Sequence, residues 1–229
     1  MVAARVLDPL RRAWFAIKER VFLWRNTNRH ARFSAIYARN LWKNPESASG
    51  YGSTLDATRQ ARAGIEQLIS RFAVGSILDV PCGDFNWMQA LRFDGAYTGG
   101  DIVPDLIAAN TARHGSDKRR FQVLDLVADQ LPPADLVLCR ECLNHLSLPE
   151  AAAAAVNLGA AARRLLVITH YPDHGENADQ PASFRYRRLN LTLPPFNLRA
   201  PDHLIDESET EPGKVLAVWD ITAAPLRRA

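Results

Sequence analysis

The chain is predicted to be an α/β protein whose mostly parallel sheet is covered by helices on both faces. Three observations predict this. Short strand-like runs recur at 76–81, 96–101, 120–125, 135–139 and 164–169. Segments with helical spacing lie between several of them, near 86–92, 104–113 and 149–162. Such alternation builds βαβ units and a parallel sheet with two covered faces. Finally, Ser76-Ile-Leu-Asp-Val-Pro-Cys-Gly-Asp84 reads as a buried strand entering a tight turn, and Tyr97-Thr-Gly-Gly-Asp-Ile102 as a second strand ending in a carboxylate.

Each element has its own signal. Residues 1–45 read as a basic, helix-rich N-terminal extension, and 46–229 as the main domain. In the extension Val2, Val6, Leu10, Ala13, Trp14, Ile17, Val21, Leu23 and Trp24 recur at near-helical spacing among arginines. The extension holds ten Lys/Arg and two Asp/Glu, against 18 and 23 in the remainder, so a net charge of +3 conceals a basic front and a mildly acidic core. A helix of that kind either packs its apolar side on the domain or meets an anionic membrane or a protein partner. Asn44 to Ser53 is rich in Ser, Gly, Pro and Asn and reads as a loop. Thr54 to Phe72 regains helical periodicity through Ile65, Leu68, Ile69 and Phe72. Further on, the alanine run 151–155 belongs to a helix, because alanine is the best helix former. Residues 171–202 form a long Pro-rich loop, of a length that is usually functional or disordered. Lys214 to Ile221 closes the chain as a last strand.

Composition sets bounds on function. No apolar run reaches the roughly 18 residues of a membrane span. Asp8, Arg11 and Arg12 interrupt any signal core. Three cysteines, an odd number, suit a reducing compartment. The expected location is therefore cytoplasmic, with the inner membrane face as a candidate site of peripheral contact through the N-terminal helix.

The turn after the first strand points to a ligand. Asp101 follows Asp79 at roughly the 20-residue offset of a ribose-binding acid in nucleotide-binding βαβ units. A dinucleotide site wants G-x-G-x-x-G to bring backbone amides onto a pyrophosphate. Here Pro81 and Cys82 replace glycines and only Gly83 remains. An adenosine-type cofactor without a pyrophosphate fits that turn.

Asp79-Val-Pro-Cys-Gly-Asp-Phe-Asn-Trp-Met88 resembles the first motif of class I S-adenosylmethionine-dependent methyltransferases, in particular a bacterial group reading D-x-P-C-G-D-F-N-W-M. Ser49-Gly-Tyr-Gly-Ser-Thr54, Gly100-Asp-Ile-Val-Pro104, Leu136-Val-Leu-Cys-Arg-Glu-Cys-Leu-Asn-His145 and Asn190-Leu-Thr-Leu-Pro-Pro-Phe-Asn197 extend the likeness over roughly residues 40 to 221. The resemblance implies a three-layer, Rossmann-like sandwich with a seven-stranded sheet, and S-adenosyl-L-methionine as cofactor. It implies that Asp79, Cys82 and Gly83 surround the methionine part of the cofactor and that Asp101 takes the ribose hydroxyls. Ile102 would pack on the adenine, Asp125 with Leu126 beside it would meet the adenine amino group, and the segment from Arg140 would line the cofactor and face the acceptor. The alternative readings are that Asp101 caps the following helix, that Asp125 is a solvated turn acid, and that Asp84, Asn86 or both cap the next helix. The 49–54 segment is either a lid, with Tyr51 over the acceptor, or an entry to the helix that follows.

Methyl transfer to a sulfonium-activated methyl needs alignment above all. An oxygen acceptor also needs its proton removed, for which imidazole is suited near neutral pH. His145 is the first candidate base, Glu141 the second, and His170, after the fifth strand, competes with them. Asn177 and the loop Phe184-Arg-Tyr-Arg-Arg188 are candidates for gripping a small-molecule or glycan hydroxyl acceptor. Leu193-Pro-Pro-Phe196 resembles the signature of enzymes that methylate base amino groups but lies after the fifth strand instead of the fourth, so a nucleic-acid acceptor is disfavoured. Cys82, Cys139 and Cys142 are expected to be buried thiols and not metal ligands. Two other readings stand beside the small-molecule enzyme. One is an RNA methyltransferase using the basic extension, and the other a non-catalytic binding module retaining the fold.

Overall fold

A computed structural model describes residues 9–224 and 226. The strands are β1 (Ser76–Asp79), β2 (Ala96–Asp101), β3 (Arg119–Val123), β4 (Ala134–Cys139), β5 (Ala162–His170), β6 (His203–Asp206) and β7 (Val215–Asp220). They form one sheet in the order β3-β2-β1-β4-β5-β7-β6. All neighbours are parallel except β7, which runs antiparallel to both β5 and β6. β1 lies between β2 and β4, where the connections turn from one side of the sheet to the other. Ligands of open α/β sheets bind at that reversal, beyond the carboxyl ends of the strands.

The helices are α1 (Pro9–Arg25), α2 (Arg29–Ala38), α3 (Arg59–Phe72), α4 (Pro104–His114) and α5 (Leu148–Ala161). α3 buries Ala61, Ile65 and Leu68 against Ile77, Leu136, Leu138 and Val167 on one face of the sheet. α5 covers the other face with Ala151, Ala154, Ala155, Leu158 and Ala161 against Leu78, Val137 and Leu166. The spacing of those residues makes a single helical stripe, and small side chains let the helix lie close. A capping box of Ser147 and Glu150 starts α5, and Ala73 in the left-handed conformation (φ 48°) ends α3.

Two elements depart from the sequence expectation. The helix expected near 86–92 shrinks to one 3-10 turn, Met88–Ala90. Phe85, Trp87 and Met88 all enter the core beneath α3, a spacing that one helical face cannot present. β6 arises in a stretch with no strand signal. As a four-residue edge strand it alternates half-buried and exposed positions, with Leu204 on the exposed side, so its apolar residues do not mark a buried face. The 171–202 segment lacks regular structure yet packs firmly, burying Tyr171, Leu189, Leu191, Phe196 and Leu198.

Within the expected extension, α2 packs Phe33 against the core beneath α5 and pairs Arg29 with Asp125 and Glu150. α1 is attached by Phe22, edge-on to Phe184 at 5.7 Å, and by Glu19, paired with Arg185 at 2.7 Å. Val2 and Val6, read as the start of the helical pattern, lie outside the described residues. No helix among the described residues is long and apolar enough to cross a membrane.

Candidate active site

The carboxyl ends of β1, β2 and β4 and the turn after β3 enclose a cavity with about 880 Å³ of empty space, its open mouth included. Asp79, Cys82 and Gly83 line it from the first turn, Asp101 and Ile102 from the end of β2, and Asp125 and Leu126 from the turn after β3. Arg140, Glu141 and His145 complete the wall beyond β4. The fold thus gathers into one cavity these sequence-predicted residues, which lie up to 66 positions apart, from Asp79 to His145.

The first turn is shaped by its glycine. Gly83 has φ +55°, and a Cβ there would lie 2.3 Å from the Ser49 hydroxyl. Its amide donates to Asp101 Oδ2 at 3.2 Å, and the Val103 amide donates to Oδ1 at 3.1 Å. Asp101 therefore ties the two turns together while lining the cavity. Burial pushes its carboxyl up to about 6, against the pull of those amides. Asp79 accepts the Tyr97 hydroxyl at 2.7 Å, and burial pushes it up to about 7. Burial also raises the Cys82 thiol, beside Asp101 and Asp79. Cys82, Cys139 and Cys142 are free and buried, and among the described residues no cluster of three or more His, Cys, Asp or Glu is placed to hold a metal ion.

Asp125 is not a free turn acid. Arg29 of α2 holds its Oδ2 at 2.7 Å and reaches Glu150 at 2.8 Å, while the Val127 amide takes Oδ1 at 2.9 Å. Phe33, Tyr37 and Trp42 also line the cavity, so α2 and the segment after it roof the site. The sequence reading missed these residues. Their signal is the aromatic spacing 33, 37, 42, overshadowed by the arginines around it.

Arg140 and Glu141 belong to a buried charge cluster. The Arg140 guanidinium donates twice to Glu207 Oε1, at 2.9 and 2.6 Å, and once to the Gly52 carbonyl at 2.6 Å. Lys214 Nζ pairs with Glu141 and lies 3.9 Å from Glu207. Burial pulls Arg140 down, but Glu141 and Glu207 outweigh it and hold it above its ordinary value. Burial likewise pushes Glu141 up, yet Arg140 and Lys214 outweigh it and keep the carboxylate below its ordinary range. A carboxylate so neutralised is a poor proton acceptor. Replacing Glu207 with glutamine removes one of the two carboxylates that oppose the buried Arg140 and Lys214, and is expected to cost about 2 kcal/mol of stability in urea denaturation. An unchanged unfolding midpoint would show that the cluster contributes nothing net.

The two histidines part company. His145 Nδ1 lies 2.8 Å from the Arg185 carbonyl, which can only accept. The neutral ring therefore carries its proton on Nδ1, and Nε2 is the basic atom, with no hydrogen-bond partner among the described residues. The ring is held between Trp42 (5.6 Å) and Tyr186 (5.4 Å). Burial pulls its pKa below the ordinary histidine value. His170 is fully buried, does not line the cavity, and spends Nδ1 on the Leu191 amide at 3.1 Å. Burial pulls it down to about 4. It stays neutral and staples the long loop, contrary to its expected place on the rim. Asn177, expected at the acceptor, instead bonds Asn190 and Pro194 within that loop.

Asp84 and Asn86 hold the segment over the cavity instead of capping a helix. Asp84 accepts from the Ser47 hydroxyl (2.9 Å), the Ala48 amide (2.7 Å) and the Ser49 hydroxyl (3.2 Å). Asn86 donates to Glu46 at 2.8 Å and to the Ser53 carbonyl at 3.0 Å. Ser49 and Ser53 line the cavity, whereas Tyr51 points outward, 58% exposed. Asp84→Ala should therefore speed amide hydrogen exchange at 47–53 by roughly tenfold or more, the worth of one charge-assisted hydrogen bond. Unaltered exchange would mean that the segment is held elsewhere.

A seven-stranded sheet in this order, with one antiparallel strand and a cavity at the ends of β1, β2 and β4, defines the fold of class I S-adenosylmethionine-dependent methyltransferases. Among solved structures, the chain is similar to magnesium protoporphyrin IX methyltransferase (ChlM) from Synechocystis PCC 6803 with bound S-adenosylmethionine. That match has a TM-score of 0.51 at 15% identity and covers 71% of this chain and 78% of that one. It is also similar to the N-methyltransferase NodS from Bradyrhizobium japonicum WM9 in complex with S-adenosyl-L-homocysteine. There the TM-score is 0.50 at 17% identity, over 60% of this chain and 72% of that one. In sequence, ubiquinone biosynthesis O-methyltransferase from Xylella fastidiosa (strain M23) is 40% identical over 83 residues, 33% of each chain. The chain thus matches about a third of the length of these curated relatives. No family model matches it.

Proposed function

We propose that the protein moves a methyl group from S-adenosylmethionine to a hydroxyl of a small molecule or glycan, with His145 as general base. The observation that carries this reading is His145 itself: a neutral imidazole on the cavity wall, its tautomer set by the Arg185 carbonyl and its Nε2 unengaged.

The cavity residues fit the cofactor. Asp79 and Asp101 are buried carboxylates at the cavity wall, each raised by desolvation and so each favouring a ligand that brings donors or positive charge. Asp101 would take ribose hydroxyls and Asp79 would face the methionine ammonium. Ile102 and Leu126 supply apolar surface for a purine, and Asp125 keeps lone pairs for a further donor beside Arg29. Gly83 leaves room where a Cβ would meet Ser49. When bound, S-adenosylmethionine supplies an electrophilic methyl on a sulfonium. His145 would take the acceptor proton at Nε2, while Glu141, paired with Lys214 and Arg140, would supply field and not basicity. An oxygen acceptor is supported by the base and by the partial likeness to an O-methyltransferase.

The RNA reading is less well supported. Arg29 and Arg32 of the basic extension are engaged within the chain, with Asp125 and Glu150 and with the Asn26 and Ala182 carbonyls, instead of being offered to phosphates.

Calorimetry of S-adenosylmethionine and S-adenosylhomocysteine with the wild type is the first test. Binding of both, followed by S-adenosylhomocysteine release in a screen of phenols, alcohols and glycans, is the expected result. Absence of binding by folded protein would leave the non-catalytic module as the better reading.

A further inference from the structure

α1 carries a feature that the cavity does not use. Ile17, Val21 and Trp24 are 61, 43 and 77% exposed, and Trp14 is 51% exposed. At about 100° per residue these four side chains fall within an arc of about 80°. The docked side of the helix is elsewhere: Phe22 is buried against Phe184, and Glu19 reaches in to Arg185 and Ser183. The apolar arc therefore faces solvent by construction and is not a core stripe left uncovered by a shift of register.

Charge decides what it faces. Lys18 and Arg25 flank the arc on one side and Arg20 on the other, all exposed, and the Lys18 ammonium sits over the Trp14 ring at 3.5 Å. Glu19, the one acid in the helix, is turned inward, with 13% of its side chain exposed. Among the described side chains, the outer surface of the helix is thus a narrow apolar band, a tryptophan near each end, flanked by cations. Tryptophan favours the boundary between headgroups and acyl chains, and cations are drawn to anionic lipid. A protein groove would be expected to offer the band a shape and some acidic complement; a bilayer needs only this order of charges around an apolar strip.

We propose that α1 is an interfacial anchor that lays Trp14, Ile17, Val21 and Trp24 into the surface of an anionic membrane. α1 is latched to the loop that carries Phe184 and Arg185, whose carbonyl orients His145. A docked helix would thus place the mouth of the cavity near the bilayer, a position suited to an amphiphilic acceptor.

Flotation with phosphatidylcholine vesicles, with and without 30 mol% phosphatidylglycerol, tests this on the full chain. The wild type should bind the anionic vesicles and not the neutral ones, and more weakly in high salt. Trp24→Asp and Ile17→Asp should each weaken binding more than tenfold. Arg20→Gln with Arg25→Gln should weaken it roughly 25-fold, at about fivefold per cation near an anionic surface. S-adenosylhomocysteine affinity, measured without lipid, should be unchanged in all of them, which separates anchoring from folding and from the methyl-transfer reading. Failure of the folded wild type to float with anionic vesicles would overturn the proposal. So would equal binding by the Asp variants, or a wild-type dimer in light scattering that Ile17→Asp converts to monomer, since the band would then be a contact between two copies.

Discussion

Asp101→Ala is expected to weaken S-adenosylmethionine binding by about 100- to 1,000-fold in calorimetry. Two hydroxyl donors on a buried carboxylate are worth about 1.5–2 kcal/mol each, and a factor of ten corresponds to about 1.4 kcal/mol. Because Asp101 also accepts the Gly83 and Val103 amides, Asp101→Asn is the companion variant. It keeps the shape and one of the two acceptor oxygens, so it should lose affinity while still folding, with a lowered melting temperature because one of the two amides loses its acceptor. The same carboxyl makes affinity depend on pH. Burial sets it at about 6 in the free protein, and bound hydroxyl donors hold it ionised and lower that value. Affinity should therefore fall as pH drops below about 7, where Asp79 takes up its proton, and fall further below about 6 with Asp101; the second fall should be absent in Asp101→Asn. Near-wild-type binding by both variants would remove Asp101 from the cofactor site.

His145→Ala is expected to lower kcat by about 100- to 10,000-fold, the usual worth of a general base. Its affinity for S-adenosylhomocysteine should stay within about twofold of wild type, since the proposed role of the ring is toward the acceptor and its hydrogen bond is to the Arg185 carbonyl. Burial depresses the imidazole below its ordinary value, so the base is already free at neutral pH. The wild-type rate should climb with pH in the acid range and level off before neutrality, and the variant should lack that rise. Should the variant keep its rate while Glu141→Gln abolishes it, the base would be Glu141, and the ion pair with Lys214 would have to open during turnover.

The strand rhythm was legible because it is local. β1, β2, β4 and β5 are short runs buried on one or both faces, and α4 and α5 between them have their own start signals, a proline in each first turn and the Ser147 capping box. The first turn was legible for a similar reason. A strand, a glycine with positive φ and an acid at the end of the next strand impose their chemistry within some 20 residues. From this the cavity's location, the Gly83 turn and Asp101 could be read without coordinates, while Asp79, Cys82 and Ile102 rest on the resemblance of the motif to class I S-adenosylmethionine-dependent methyltransferases.

What lay beyond reach is long-range. Nothing near Asp125 announces that Arg29, 96 residues earlier, will hold it. Nothing near Arg140 names Glu207, 67 residues later, or shows that the charge of Glu141 will be cancelled by Lys214. His145 and His170 look alike in sequence, each near the carboxyl end of an interior parallel strand. Tertiary packing alone put one against a carbonyl on the cavity wall and sealed the other beneath the 171–202 loop. Periodicity tells which side of an element is apolar and turn chemistry tells where the chain bends. Neither specifies which distant charge completes a pair, because burial and ion pairing are properties of the space between elements.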